Sequence, residues 1–292
     1  MTQFLDVAPV VAEALERRRP VVALETSIVG QGLPSPHNLR AAFGCEAAVG
    51  EEGAVPATIG VLDGRVKIGL SKDDLERIAA GSVKVSSRDL GPALTHRTAG
   101  ATTVAATMRA AAMAGIRFMA TGGIGGVHRG HPEDQSADLH ELATSTVAVF
   151  CAGPKIILDI ALTLERLESL GVPVLGFACD EVPAFYIARS GHPVNARVTD
   201  AADAAQVLAA SWAMGARGIV VAVPPPAELE GADELVSRAV ARAGDVEGAG
   251  VTPRLLAMVA EFSEGRSLDL NVDVVINNAR TAAMVARSFS GG

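Results

Sequence analysis

At 292 residues, with 49% hydrophobic and 20% charged side chains, the chain has the profile of a well-packed globular enzyme, which excludes a disordered or fibrous protein. Its net charge is −8, and its basic residues are scattered singly apart from Arg17, Arg18 and Arg19, a poor match for a nucleic-acid backbone, so any nucleotide partner should be a free one. No apolar run approaches the ~20 residues of a membrane helix. Met1 to Asp6 lack the basic start and apolar core of a signal peptide, and Cys45, Cys151 and Cys179 lack any pairing or metal-type spacing. Reduced thiols in a cytoplasmic protein, with no membrane partner, are the expectation.

In chain order, the first candidate strand covers residues 21–24 and ends in Glu25. A carboxylate after four apolar residues at a strand mouth is placed for general acid work, although it also suits a strand end facing solvent. A helical pattern spans 37–50. Residues 57–62 and 65–70, joined by Asp63 and Gly64, read as a hairpin with a tight turn. Only four of the 25 basic residues are lysines, so each is a candidate for chemistry that arginine does not perform. Lys67, in the hairpin, and Lys72, at a helix start, read as ordinary surface cations. Lys84 ends the strand 83–86 and suits a phosphate. The next helix, 101–114, begins near Thr103 and Val104, whose N–H groups suit the same anion.

After the strand 118–121, residues Thr121 to Gly130 form a glycine-rich segment containing His128. Glycines there let backbone N–H groups approach a phosphate, though the pattern is neither a dinucleotide fingerprint nor a P-loop and also fits a merely flexible loop. Residues 131–140 follow. Ser136 heads the helix 137–144 and reads as an N-cap or as a substrate contact together with Asp138. Asp134 is a candidate ligand for a hard divalent cation. His131 and His140 do not complete a zinc set, and one carboxylate with waters suits Mn²⁺ or Mg²⁺. The strand 147–151 runs through Gly153 and Pro154 into a helix expected at 155–170, with Lys155 at its start. The positive end of a helix disfavours an ammonium, which favours the free amine of Schiff-base chemistry; the bland alternative is a surface lysine paired with Asp159.

The remaining elements are strands at 172–177 and 218–223 and helices at 203–214, 232–243, 252–262 and 278–289, with Pro224 to Pro226 forming a rigid loop. Strands alternating with amphipathic helices predict an α/β fold, a three-layer α/β/α arrangement on a central mixed β-sheet, in one domain over 1–292.

Taken together, several segments resemble the pseudouridine-5′-phosphate glycosidase family, also called indigoidine synthase A-like. They are 24–28 (LETSI), 33–36 (LPSP), 56–60 (PATIG), 84–89 (KVSSRD), 100–108 (GATTVAATM), 120–130 (ATGGIGGVHRG), 136–139 (SADL), 151–155 (CAGPK), 181–185 (EVPAF), 252–253 (TP) and 277–280 (NNAR). They run in one order along nearly the whole chain. The family pattern differs at Ser35, around Glu133 and Gln135, and at Arg254.

The resemblance implies a reversible cleavage of the carbon–carbon glycosidic bond of pseudouridine 5′-phosphate to uracil and ribose 5-phosphate. It implies that Glu25 protonates the ribose ring oxygen while Lys155 attacks the anomeric carbon, giving a covalent lysine–ribose adduct. Lys84, Thr103, Val104, Ser136, Ala137 and Asp138 are implied to hold ribose phosphate, with Asp134 on Mn²⁺ and with His128 and Asn277 or Asn278 on uracil. A homotrimer is also implied. The same residues would serve another Schiff-base phosphosugar lyase or aldolase, or a non-catalytic nucleotide-binding protein, which would bind without forming product.

Overall fold

A computed structural model describes residues 2–243 and 251–291. The side chains of Thr252 and Pro253, one of the matching pieces, lie outside the described residues. The β-branched runs of the sequence pair as the centre of an 11-stranded mixed sheet. Across its main path the order is Leu5–Val7, Arg65–Ile68, Val55–Leu62, Val21–Leu24, Phe118–Ala120, Ala148–Cys151, Ile219–Ala222, Val174–Phe177 and Ala196–Val198. Every neighbouring pair is parallel except the hairpin of Val55–Leu62 with Arg65–Ile68. That hairpin turns on Asp63 and Gly64, both with positive φ, as an aspartate–glycine pair allows. Gly100–Thr102 pairs antiparallel with Val55–Leu62 and parallel with Val83–Val85.

Successive side chains of the central strands point to opposite faces, which makes the protein three-layered. Ala23, Met119, Val149 and Val220 join one core with Val11, Met108, Leu142 and Leu167 from the helices of that side. Val22, Phe118, Phe150 and Val221 join another with Ala41, Leu208, Val275 and Ala282 from the helices of the opposite side. Because the strands are buried on both faces they read as continuous apolar runs.

Three expectations need correction. The helix expected at 101–114 begins at Val104, since Gly100–Thr102 is a strand with partners on both sides. The helix expected from Lys155 begins at Ile160: Pro154 forms a bridge with Ile124 and Leu158–Asp159 is a short strand. Asp159 caps that later helix through Leu162 N at 3.0 Å, a role that the ion-pair reading of Asp159 does not include. The last helix extends over Arg266–Ser290, well beyond 278–289.

Candidate active site

The loops leaving the carboxyl ends of the parallel strands converge on one cleft of about 390 Å³, where open α/β sheets generally bind ligands. Glu25 enters from the end of Val21–Leu24. Thr121 Oγ1 donates to Glu25 Oε1 and Ser27 Oγ to Glu25 Oε2, so both carboxylate oxygens are aimed. Beneath Glu25, buried threonines tie three elements together. Thr26 Oγ1 donates to Ile59 O at 2.8 Å and accepts from Thr102 N at 2.9 Å, and Thr107 Oγ1 donates to Thr102 Oγ1 at 2.9 Å. This cluster sets the Lys84 strand and the start of the Val104–Ala114 helix against Glu25.

Lys155 stands in a turn that follows Ala148–Cys151. Its N–H donates to Ile124 O at 3.1 Å and its carbonyl accepts from Leu158 N at 2.9 Å. Gly153 makes the turn possible: its φ is +75°, and a Cβ there would lie 1.9 Å from Pro183 O. A dipole argument for Lys155 therefore does not apply, because the residue lies ahead of the helix and not on its first turn. Lys84 faces the same cleft. Loss of water around its ammonium, then the charge of Lys155, lower its proton affinity; Asp138 and Glu25 act the other way. Lys84 is exposed as a residue and lines the cleft.

The glycine-rich segment is rigid in construction. Phe185 lies against Gly122 and Gly123, where a Cβ would come within 3.1 and 2.6 Å of its ring, and Thr163 fills the space beside Gly126. Ile124 N donates to Gly153 O at 3.1 Å, Gly125 N to Asp138 Oδ2 at 2.8 Å and Val127 N to Thr163 Oγ1 at 2.9 Å. Gly122, Gly123 and Gly126 thus serve close packing, while Gly122, Gly123 and Gly125 also line the cleft. Asp138 is almost fully buried, and its other oxygen accepts from Ala105 N at 2.9 Å, on the first turn of Val104–Ala114. Thr103 Oγ1 caps Ala106 N at 3.4 Å. Of the N–H groups expected to meet phosphate, that of Thr103 donates instead to Val85 O at 2.9 Å, and Thr103 and Val104 both line the cleft.

His128, Asp134, Ser136 and Ala137 also line the cleft. Ser136 is both cap and wall, since its Oγ accepts from Asp138 N at 3.2 Å. Asn277 and Asn278 do not line it. Asn278 lies fully buried behind the glycine segment, donating to Thr121 O at 2.8 Å and Gly122 O at 3.2 Å. Asn277 donates to Pro224 O at 3.3 Å. Asn271, on the same helix and the same face but about 10 Å further along the axis from Asn278, lines the cleft with Phe185 and Leu256. Nothing in the sequence singled out Asn271, Leu256 or Gln31, whereas Ser27 and Phe185 stand inside segments already noted.

Among the described residues no three His, Cys, Asp or Glu side chains converge as a metal cage. Glu133 lies 3.5 Å from His131 Nδ1, and the Gln135 amide donates to Pro132 O at 2.9 Å. What the cleft offers a cation is Asp134, with the Ser136 hydroxyl nearby in sequence: oxygen donors without a thiol or imidazole set. That donor set fits a hard, largely hydrated ion such as Mn²⁺ or Mg²⁺ and does not fit structural zinc.

The fold and cleft define an α/β protein in which an amine and a carboxylic acid, borne on the segments that follow the two strands flanking Phe118–Ala120, face a common cavity. The chain belongs to the indigoidine synthase A-like family, whose sequence profile matches residues 10–288. It is 50% identical to a pseudouridine-5′-phosphate glycosidase of Nocardioides sp., covering 99% of this chain and 97% of that protein. A second such glycosidase, from Caldanaerobacter subterraneus, is 46% identical over 98% of this chain and 97% of its own length. Among solved structures, the prealnumycin C-glycosynthase AlnA in complex with ribulose 5-phosphate superposes with a TM-score of 0.90 at 36% identity, covering 99% of this chain and 98% of that one. An indigoidine synthase A-like protein from Thermotoga maritima gives 0.91 at 30% identity, covering 98% and 97%.

Proposed function

We propose that the protein is a pseudouridine-5′-phosphate glycosidase: it cleaves the carbon–carbon bond between uracil and ribose 5-phosphate, reversibly, through an adduct on Lys155. The observation that carries this reading is the meeting of Lys155 and Glu25 in one cleft walled by Lys84, within a chain half identical to glycosidases of that name. AlnA, a C-glycosynthase held with ribulose 5-phosphate, supports a sugar phosphate as the common ligand.

Glu25, aimed by Ser27 and Thr121, donates its proton to the ribose ring oxygen as the Lys155 amine forms a bond to the anomeric carbon. The ring opens, and the uracil ring takes up a proton at its glycosidic carbon as the carbon–carbon bond breaks, leaving an imine on Lys155. Water adds to the imine and releases ribose 5-phosphate, restoring the amine. Lys84, Thr103, Val104, Ser136 and Ala137 surround the sugar phosphate, with Asp138 supporting them from behind. The flat base lies between His128 and the wall of Phe185, Leu256 and Asn271. Asp134 would hold a Mn²⁺ ion, which supplies positive charge beside the phosphate. A cytoplasmic homotrimer completes the reading; ultracentrifugation at working concentration tests the subunit number.

The decisive experiment is reduction with borohydride in the presence of ribose 5-phosphate. The expected product is a reduced sugar phosphate on the peptide containing Lys155, with free uracil released from the nucleotide by the untreated enzyme. Lys155→Ala should bind ribose 5-phosphate and turn over nothing. An adduct on Lys84 would reverse the roles of the two lysines, and binding without uracil release would leave a nucleotide-binding protein. Mn²⁺ binding, followed by its paramagnetic resonance, should vanish in Asp134→Ala.

A further inference from the structure

Arg129 follows His128 in the glycine-rich segment, yet its guanidinium turns away from the cleft. Its Nε donates to Leu158 O at 2.9 Å and its Nη2 to Ile156 O at 2.8 Å. Those carbonyls belong to the turn that carries Lys155, one and three residues beyond it. The same turn is held on its other side by the Lys155 N–H on Ile124 O and by Leu158 N on the Lys155 carbonyl. His128, which lines the cleft, pairs with Leu158 across the short antiparallel ladder. A planar guanidinium reaches two carbonyls at once from separate nitrogens in fixed geometry, whereas an ammonium offers its donors from a single rotating nitrogen. Both bonds are charge-assisted, the stronger kind.

We infer that Arg129 is a positioning residue for the nucleophile: it clamps the 155–158 turn from behind and so fixes where the Lys155 amine meets the anomeric carbon. The inference rests on the proposed role of Lys155. Arg129 does not line the cleft, so its loss leaves the phosphate and base contacts in place. It lines a separate groove of about 490 Å³ on the far side of the turn, together with Arg189, Ser190 and His192, and is exposed to solvent there. A small guanidinium ion therefore has a path to the position that the Arg129 side chain occupies.

The test compares wild type, Arg129→Ala and Arg129→Lys by the rate of borohydride trapping with ribose 5-phosphate, and by affinity for ribitol 5-phosphate, which lacks an aldehyde and does not condense. A displaced nucleophile of this kind costs on the order of 10²-fold, so trapping in Arg129→Ala should slow by ~10- to 100-fold. Ribitol 5-phosphate affinity should stay within about twofold, since binding is left intact. Methylguanidinium should restore part of the trapping rate in Arg129→Ala, and Arg129→Lys, which keeps the charge but not the planar fork, should lie between. With the wild-type adduct on Lys155, an unchanged trapping rate in Arg129→Ala overturns the inference alone. So does a parallel loss of ribitol 5-phosphate affinity in both variants, which marks a merely structural residue. A wild-type adduct on any other residue overturns the proposed function and this inference with it.

Discussion

Asp138→Asn separates a substrate ligand from a structural brace. The Asp138 carboxylate accepts from Gly125 N at 2.8 Å and from Ala105 N at 2.9 Å, and it is almost fully buried. It also lies at the positive end of the Val104–Ala114 helix, where a negative charge is favoured. Asparagine has the same shape but only one acceptor atom. Its carbonyl can keep one N–H, while its NH₂ group then faces the other, donor against donor. The remaining bond falls from the charged range to the neutral one, a loss of ~1 kcal/mol, and the orphaned N–H adds ~1–3 kcal/mol. The total is ~3 kcal/mol, which corresponds to roughly 5–10 °C in melting temperature for a chain of this size. Urea titration of the variant, with slope and midpoint both measured, reads this directly. If the midpoint stays at the wild-type value while ribose 5-phosphate binding is lost, the brace does not exist and Asp138 acts on the ligand alone.

Glu25→Gln retains an acceptor for one of the two hydroxyls that aim it, so the fold should persist while turnover falls at least ~10²-fold. Ribose 5-phosphate, partly an open aldehyde, should still be trapped on Lys155 in this variant, whereas the nucleotide should not; equal trapping from both would remove Glu25 as the acid. Lys84 sheds its proton at lower pH in the folded chain than in the unfolded one, so its contribution to stability is unfavourable at neutral pH. That penalty is relieved as pH rises from the folded value toward the unfolded one, where only the unfolded chain still holds the proton. Lys155→Ala removes the second cause of this lowering, so the alkaline loss of ribose 5-phosphate affinity should move to higher pH; an unmoved limb would show that the two charges do not interact. Gly153→Ala puts a methyl group against Pro183 O and an L-residue at φ +75°, and should lose trapping on Lys155 even where some folded protein is recovered. A fully active Gly153→Ala enzyme would mean that the turn holding Lys155 is not what places its amine.

The layers were legible because their physics is local. The central strands are buried on both faces and announce themselves as apolar runs, and the Asp63–Gly64 turn carries its hairpin with it. The segments around Glu25, Lys84 and Asp138 stood out because charged or capping residues abut those runs. What was illegible depends on partners distant in sequence. Gly100–Thr102 is a strand only because Val55–Leu62 and Val83–Val85 flank it. Asn271 faces the cleft and Asn278 the back of the glycine segment because they stand about two turns apart on one long helix, a placement that depends on which distant loops meet each turn.

Lys155 is the instructive case. The sequence pointed to it as the opening residue of a helix, with the dipole as the reason for its reactivity. In the structure the helix starts at Ile160, and Pro154 pairs with Ile124 where helix N–H groups were expected. The lysine is selected instead by what surrounds the turn: Gly153 bends the chain where a side chain would strike Pro183, Ile124 holds its N–H, and Arg129 holds the carbonyls beyond it. The charge at Lys155 in turn lowers the proton affinity of Lys84 across the cleft. An anionic phosphate bound at Lys84 would change that balance. A bound phosphate and the charge of Lys155 therefore act on Lys84 in opposite senses, an interaction that no helix dipole would provide.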